Sequence, residues 1–255
     1  MSEREADRRG VKSDETLFTL IEQLKASDGT GVTELAARTG LAKSTVHGHL
    51  TTMVDRGFVV KDDGEYRLGL EFLHYGQYVR NQYRIYDVAK TMVDDLVAEV
   101  GEMVWLMTHE NGRVMYLYGR GGRTDINVNT LVGSWAHMHC NSGGKAILSQ
   151  LSEDRVDAIV DRHGLPAKTS NTTTDREGLF EELERTRERG YALNLSEDLT
   201  GIHAVGVPLV HEGSVRGALA IAGPAHRLGR ERCGTELAEK LRAATNDVKL
   251  NLAYK

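Results

Sequence analysis

The sequence contains few cysteines, and no part of it resembles an export signal or a membrane anchor. Its 255 residues include two cysteines, Cys140 and Cys233, which lie far apart in the chain. The N-terminus is charged and lacks an apolar core, so it does not read as a signal peptide. No apolar run approaches the length of a membrane span. We therefore expect a reduced cytoplasmic protein with two free thiols and no membrane partner.

The chain also lacks the excess of positive charge found in many nucleic-acid-binding proteins. It carries 32 Lys and Arg against 37 Asp and Glu, a formal net charge of −5. Residues 1–70 hold ten basic and twelve acidic side chains, so neither half of the chain is basic. Any contact with nucleic acid must therefore come from a local patch. The length suits two modest domains better than one.

Three short helical patterns occupy the first part of the chain. Ser13 or Asp14 is predicted to cap the first helix, and Thr33 is predicted to cap the second. A third helix is expected over residues 43–56, and Gly57 follows it in the manner of a C-cap glycine.

The second and third helices carry the features of a helix-turn-helix. Ala36 or Ala37 supplies a small residue where the two helices cross, and Gly40 tolerates a positive φ in the tight turn. Val46 and Leu50 are apolar positions of the third helix that face back toward the other helices. A helical hairpin used for protein contacts is the alternative.

A predicted β-hairpin follows the third helix directly. The segments 58–61 and 65–68 flank an Asp-Asp-Gly turn, which is typical of two short antiparallel strands. A helix-turn-helix followed at once by such a wing favours binding to double-stranded DNA. The candidate DNA-binding residues are Lys43, Ser44, Thr45 and His47 at the start of the third helix, and Lys61 and Arg67 in the wing.

Beyond residue 84 the chain alternates between strand-like and helix-like segments. This mixture predicts an α+β domain built on an antiparallel sheet. The expected helices cover 88–100, 142–151, 153–163, 176–189 and 231–252, and the expected strands cover 103–108, 114–118, 203–210 and 215–222. The predicted organisation is an arm at 1–12, a winged helix-turn-helix at 13–69, a linker helix at 70–84 and a second domain at 85–255.

The start of one predicted helix is the strongest candidate binding site of the second domain. Ser142, Gly143 and Gly144 open this helix, where backbone N–H groups and the positive end of the helix dipole favour an anion. A capped helix that binds nothing is the alternative.

Histidine and cysteine lie close together just before this helix and suggest two other chemistries. His137 and His139 with Cys140 suggest a metal-binding sensor, with His109 or His203 completing the set, but no closely spaced ligand pair supports it. Cys140 beside His139 suggests the nucleophile of a hydrolase, but neighbours on a strand point to opposite faces. We expect neither a metal nor a cofactor, and no enzyme activity.

The chain resembles the IclR family of transcription regulators along nearly its whole length. The resemblance is carried by residues 40–46 (GLAKSTV), 57–59 (GFV), 66–69 (YRLG), 141–148 (NSGGKAIL), 190–192 (GYA), 196–198 (SED), 201–202 (GI), 207–209 (VPL) and 220–224 (AIAGP). One departure concerns the third helix, where the family commonly has an aromatic residue followed by Arg and this chain has His47 and Gly48.

The resemblance implies a fold and a ligand for the second domain. It implies a GAF-like effector domain with an antiparallel sheet, which binds a small organic acid, either a sugar acid or a keto or hydroxy acid. The apolar faces of the first and linker helices exceed what a small isolated head can bury, so we also expect a homodimer or homotetramer that binds two half-sites of an operator. The effector-binding positions implied by the resemblance are Ser142, Gly143, Asn194, Ala204, Ala220 and Ala222.

Overall fold

The computed structural model describes residues 10–122 and 131–254. Most of the predicted arm at 1–12 lies outside the described residues. Contacts along the chain divide it into two compact units, 1–79 and 80–255. The division falls inside the segment predicted to be the linker helix, and each unit has its own core.

The first unit contains three helices followed by a two-stranded hairpin and a further helix. Its elements are α1 (Lys12–Lys25), α2 (Val32–Thr39), α3 (Lys43–Asp55), β1 (Val59–Asp62), β2 (Glu65–Leu68) and α4 (Glu71–Asn81), the last of which ends just beyond the division between the units. The core is formed by apolar side chains from α1, α2, α3 and both strands, among them Leu20, Leu35, Val46, Leu50 and Tyr66.

The predicted helix-turn-helix and wing are present, and two predicted helix caps are wrong. The N-cap of α1 is Val11 and that of α2 is Gly31, neither of which makes a side-chain cap hydrogen bond. Each helix therefore begins before the Ser, Asp or Thr residue that was predicted to cap it. Asp14 instead lies in the first turn of α1, where a carboxylate interacts favourably with the helix dipole.

The second unit is an antiparallel sheet covered by helices. Its elements are α5 (Arg84–Val100), β3 (Met103–Glu110), β4 (Arg113–Arg120), β5 (Trp135–His137), α6 (Ser142–Leu148), α7 (Glu153–His163), α8 (Arg176–Arg189), β6 (Ala192–Leu195), β7 (Ile202–His211), β8 (Ser214–Pro224), α9 (Arg230–Arg232), a π-helical turn (Cys233–Leu237) and α10 (Ala238–Tyr254). The six strands lie in the order β5-β4-β3-β8-β7-β6. Every neighbouring pair is antiparallel.

The two faces of this sheet carry different side chains because successive residues of a strand point to opposite faces. On one face, bulky residues of the central strands such as Val205, Leu219 and Ile221 pack against α5 and α10. On the other face, the central strands β7 and β8 present alanines, including Ala204 and Ala220, to α6 and its neighbours. The face covered by α6 therefore has room that the other face lacks.

The α+β class and the antiparallel sheet are as predicted, with a few differences in the elements. The predicted helix at 231–252 is interrupted near its start by the π-helical turn. The short strand β6 was not predicted, and the predicted helix at 142–151 ends at Leu148. None of the helices in the described parts of the chain combines the length and the apolarity that a membrane span requires.

Candidate functional site

Helix α3 presents one polar and one apolar side. Val46 and Leu50 are fully buried in the core of the first unit. Lys43, Ser44, Thr45 and His47 are all exposed, and no acidic residue lies in the first turn. The start of α3 therefore offers a cation, two hydroxyls and an imidazole to solvent, which are groups that contact DNA phosphates and base edges.

Two glycines hold α3 in this orientation through backbone conformations that other residues rarely adopt. Gly40, between α2 and α3, has φ of +70°, as a tight left-handed turn requires. Gly57 has φ of +77° after the helix end, and the next amide, that of Phe58, donates to the carbonyl of Met53 at 2.9 Å. This is the pattern of a helix terminated by a glycine.

The wing carries two cationic side chains and a larger number of carboxylates. Lys61 lies 5.4 Å above the ring of Tyr66, and Arg67 pairs with Asp62 at 3.2 Å. Asp63 at the tip has φ of +46°, consistent with a primed hairpin turn. The two cations that are predicted to contact DNA are thus exposed, but they have acidic neighbours.

A cavity of about 110 Å³ lies on the alanine-rich face of the sheet in the second unit. It is enclosed by strand residues, by the start of α6 and by the loop after β6. Its lining consists of Met103, Trp105, Met107, Tyr116, Leu131, Asn141, Ser142, Asn194, Asp198, Leu199, Ile202, Ala204, Ala220 and Ala222.

The strand register explains why the cavity forms at this place. Asn194, Ala204 and Ala222 lie side by side across β6, β7 and β8, and Met103 of β3 follows them in the same row. The two alanines in the middle of this row leave space between larger neighbours. A Cβ on Gly206 would lie 2.6 Å from the carbonyl oxygen of Ser142, so glycine there lets the start of α6 approach the sheet.

A hydrogen-bonded pair fixes the polar groups at the α6 side of the cavity. Asn141 is the N-cap of α6, and its Oδ1 accepts from the amide of Gly144 at 3.1 Å. Its Nδ2 donates to the hydroxyl oxygen of Tyr116 at 2.8 Å. Burial, together with the charge of Asp198, raises the pKa of Tyr116, so its hydroxyl proton stays on and can be donated to a ligand.

A buried ion pair positions the loop that closes the other side. Lys145 of α6 is 3% exposed and donates to both carboxylate oxygens of Glu197, at 2.7 and 2.5 Å. The amide of Glu197 donates to Oδ1 of Asn194 at 2.8 Å. Because that oxygen is occupied, Nδ2 is the group through which Asn194 can bind a ligand.

The structure brings five of the six predicted effector-binding residues around this one cavity. Ser142, Asn194, Ala204, Ala220 and Ala222 all line it. The sixth predicted residue, Gly143, lies behind the cavity wall.

Gly143 does not line the cavity because it is covered by a side chain of the sheet. A Cβ there would lie 2.4 Å from Sδ of Met107, so the glycine allows this methionine to pack on α6. The cavity is also lined by Trp105, Tyr116 and Asp198, which were not among the predicted site residues. The period-two spacing of Met103, Trp105 and Met107 was the available signal that they share a face.

In the described part of the chain, the histidine and cysteine side chains are not arranged as a metal site, and the thiol of Cys140 is not activated as a nucleophile. Among the residues that the structure describes, no group of three or more His, Cys, Asp or Glu is arranged to hold a metal ion. The side chain of His139 is hydrogen-bonded to the carbonyl of Pro166, and that of His203 to the carbonyl of Leu228. Burial, reinforced by nearby carboxylates, raises the pKa of Cys140 to about 12, so the reactive thiolate does not form near neutral pH.

Helix α4 presents an exposed apolar surface in the first unit. None of its residues is buried. Its aromatic side chains Phe72 and Tyr75 pack on Phe58, whereas Leu73 and Tyr78 are 57% and 64% exposed. An isolated head does not bury this surface, which is a feature of protein–protein interfaces.

Both units match models of known domains. The model of the bacterial transcriptional regulator IclR C-terminal domain matches residues 77–250, and that of the IclR helix-turn-helix domain matches residues 17–63.

Individual proteins agree with these matches over most of the chain. The acetate operon repressor of Salmonella typhimurium is 31% identical over 92% of this chain and 87% of its own length. The crystal structure of Thermotoga maritima IclR is 27% identical, with a TM-score of 0.77, over 94% of this chain and 97% of that one. An IclR homologue from Microbacterium hydrocarbonoxydans, solved in complex with 4-hydroxybenzoate, shares the fold with a TM-score of 0.79 at 21% identity, over 94% and 100% of the two chains. The chain therefore belongs to the IclR family of DNA-binding transcription regulators.

Proposed function

We propose that this regulator binds its operator through the start of α3 and that a small organic acid bound in the cavity of the second unit modulates this binding. The observation that carries the proposal is the pairing of an exposed polar helix start in one unit with a polar-edged cavity in the other. The modulation requires only that the acid binds the DNA-competent and DNA-incompetent states with different affinities.

The DNA-binding part of the proposal assigns contacts to individual residues. The start of α3 contacts bases and phosphates through Lys43, Ser44, Thr45 and His47. The wing contacts phosphates beside the major groove through Lys61 and Arg67. The exposed apolar surface of α4 supports self-association, either as a dimer or as a tetramer, so that two heads occupy half-sites about 34 Å apart.

The effector part of the proposal is supported by the hydrogen-bond donors at the edge of the cavity. Tyr116, Ser142 and Asn194 are neutral donors suited to the oxygens of a carboxylate, a keto group or a hydroxyl. The apolar walls suit the carbon skeleton of the ligand. The fold neighbour that was solved with 4-hydroxybenzoate is a protein of this fold that binds a small acid.

The first experiment tests DNA binding. A fragment from the regulator's own promoter region should bind the full-length protein, with affinity falling as salt rises. The double variant Lys43→Ala/Thr45→Ala should bind it more weakly, by about tenfold or more. Unchanged affinity of the double variant would remove α3 from the DNA contact.

The second experiment tests the effector. Small keto, hydroxy and sugar acids are screened for an increase in the thermal stability of the full-length protein, and each acid that stabilises it is then tested for a change in operator affinity. The variant Ala220→Val, which places two further carbons in the cavity, should lose the response by about tenfold or more and still bind operator. An equal response in the variant would place the effector site elsewhere.

A further inference from the structure

The cavity has a charge balance that does not suit an ordinary carboxylate site. Among the described residues that line it, there is no Lys, Arg or His, and Asp198 is the one carboxylic acid. The cation of α6, Lys145, is paired with Glu197, and Glu182 lies 3.9 Å away. Among the residues that the structure describes, an incoming carboxylate therefore meets a carboxyl group and no lining cation.

The groups around Asp198 act on its ionisation in opposite directions. Burial disfavours the ionised form and raises the pKa of Asp198, and this effect outweighs the positive charges of Lys168 and His137, which lower it. The thiol of Cys140 donates to Oδ1 at 3.8 Å, a weak bond that also favours the carboxylate. Burial lowers the pKa of His137, so His137 adds little positive charge near neutral pH.

We propose that Asp198 and the carboxyl group of the effector share one proton in the complex, so that the cavity selects small monocarboxylic acids. This inference rests on the proposed binding of an acid in the cavity. Two carboxylates in contact cannot both remain ionised, because like charges at hydrogen-bond distance repel strongly. Above the pKa of Asp198 in the free protein, binding therefore takes one proton from solvent. That proton forms an O–H bond on one carboxyl group and is donated to an oxygen of the other.

The neutral donors complete the recognition of the acid. The second carboxyl oxygen, or a keto or hydroxyl group on the neighbouring carbon, accepts from Tyr116, Ser142 or Asn194. A ligand with a second carboxylate or a phosphate would bring another charge, which no cation among the described lining residues neutralises. Such anions are excluded by the cost of desolvating the charge.

The volume of the cavity further narrows the class of acids that can bind there. A cavity of ~150 Å³ in another protein holds benzene, which has six non-hydrogen atoms, so 110 Å³ admits a ligand of about four to six non-hydrogen atoms. This corresponds to an acid of two to about four carbons. Sugar acids with a six-carbon chain exceed this size.

Lactate and lactamide form a matched pair of probes for this inference. They have nearly the same shape, and only lactate is charged at neutral pH. Trp105 lines the cavity, and the only other tryptophan of the chain is Trp135. The full-length Trp135→Phe protein therefore reports binding through the fluorescence of Trp105 alone. The titrations are run from about pH 5.5 to about pH 8.5 in this background, with Asp198→Asn as the test variant and the exposed Glu188→Gln as the charge-matched control.

The expected result is a lactate Kd that rises about tenfold per pH unit above the pKa of Asp198 in the free protein. Asp198→Asn should abolish this slope and bind lactate more tightly at the alkaline end, because its amide donates without a proton. Lactamide should bind with a Kd independent of pH, and Glu188→Gln should behave like the parent protein.

Two outcomes overturn the inference and differ in what they say about the proposed function. A lactate Kd that is independent of pH, or a slope that persists in Asp198→Asn, removes the shared proton but leaves an acid site in the cavity. No fluorescence change with lactate, pyruvate, propionate or glycolate at any pH removes both the shared proton and the acid site.

Discussion

The two candidate sites of this chain display their polar groups in opposite ways. On α3, the residues assigned to DNA contact are exposed, and the residues that hold the helix in place lie on its other side. Around the cavity, the polar lining residues Asn141, Ser142 and Asn194 are themselves buried, each at 5% exposure or less. The exposed residues of α3 can change without disturbing the fold. The buried residues around the cavity belong to the core, so binding and stability are coupled there.

The largest expected effect comes from breaking the ion pair that positions the closing loop of the cavity. Lys145→Met leaves Glu197 buried without its cation, which should lower the free energy of unfolding by about 3–5 kcal/mol. Urea denaturation of the full-length protein measures this. The double variant Lys145→Met/Glu197→Gln should recover part of the loss because no unpaired charge remains. A loss below about 1 kcal/mol in the single variant would mean that this pair does not hold the loop.

Substitutions at two alanines of one strand distinguish the cavity from the packed core around it. Ala218 and Ala220 lie on the same face of β8, but only Ala220 lines the cavity. Ala218→Val should overpack its surroundings and cost about 1–3 kcal/mol of unfolding free energy. Ala220→Val should cost less than about 1 kcal/mol, since its added carbons enter empty space. Equal losses in urea denaturation would indicate that the cavity is not available space.

Much of the first unit could be predicted from sequence because its signals are local. Gly40, Gly57 and the Asp-Asp-Gly turn each specify a backbone conformation within a few residues, and each was placed correctly. Helix caps were harder, because Gly31 and Val11 cap their helices without a side-chain bond to reveal them.

In the second unit, some elements could be predicted from the sequence and others could not. Helices α7 and α8 were predicted at their observed bounds, since both follow a polar residue and end at a glycine. Strand β6 was missed because four residues, Ala-Leu-Asn-Leu, carry little strand preference of their own. The π-helical turn differs from an α-helix by one residue over a single turn, which the hydrophobic period does not resolve.

The cavity could be predicted only in part for a related reason. Ser142 and Asn194 were identified through family resemblance, whereas Trp105 and Asp198 come together only through the register of the sheet. Trp105 faces the cavity partly because the residue opposite it on β4 is Gly119, where a Cβ would lie 2.1 Å from the indole ring. Such cross-strand relationships are not visible in one sequence.

The exposed side of α3 can be tested with a substitution that restores the family pattern. Gly48 lies inside the helix, and a Cβ at this position would have no neighbouring atom within 4 Å, so a side chain fits. Gly48→Arg should raise the unfolding free energy by about 1 kcal/mol, because glycine is a poor helix former. It should also strengthen operator binding, with the salt dependence growing by about one phosphate contact.

Ala158 of α7 provides the charge-matched control, since it is an exposed helical residue of the other unit. Ala158→Arg should add the same charge and leave the unfolding free energy within about 0.5 kcal/mol of the parent protein. It should leave the slope of log affinity against log salt unchanged. If both variants change that slope equally, the effect of Gly48→Arg comes from net charge and not from a contact made by α3.

The smallest expected effect concerns the acidic tip of the wing. Asp63 occupies a position with positive φ in the hairpin turn, where asparagine is equally well accommodated, so Asp63→Asn removes one charge and preserves the turn. If the wing lies near DNA phosphates, removing this repulsion should tighten operator binding by about twofold to threefold at ~0.1 M salt, and the gain should shrink at higher salt. Fluorescence anisotropy with labelled operator resolves a change of this size. Glu188→Gln makes the same charge change on α8 in the other unit and should have no effect. Equal affinity for Asp63→Asn and the parent protein at low salt would place the wing tip away from the DNA and leave α3 as the contact surface.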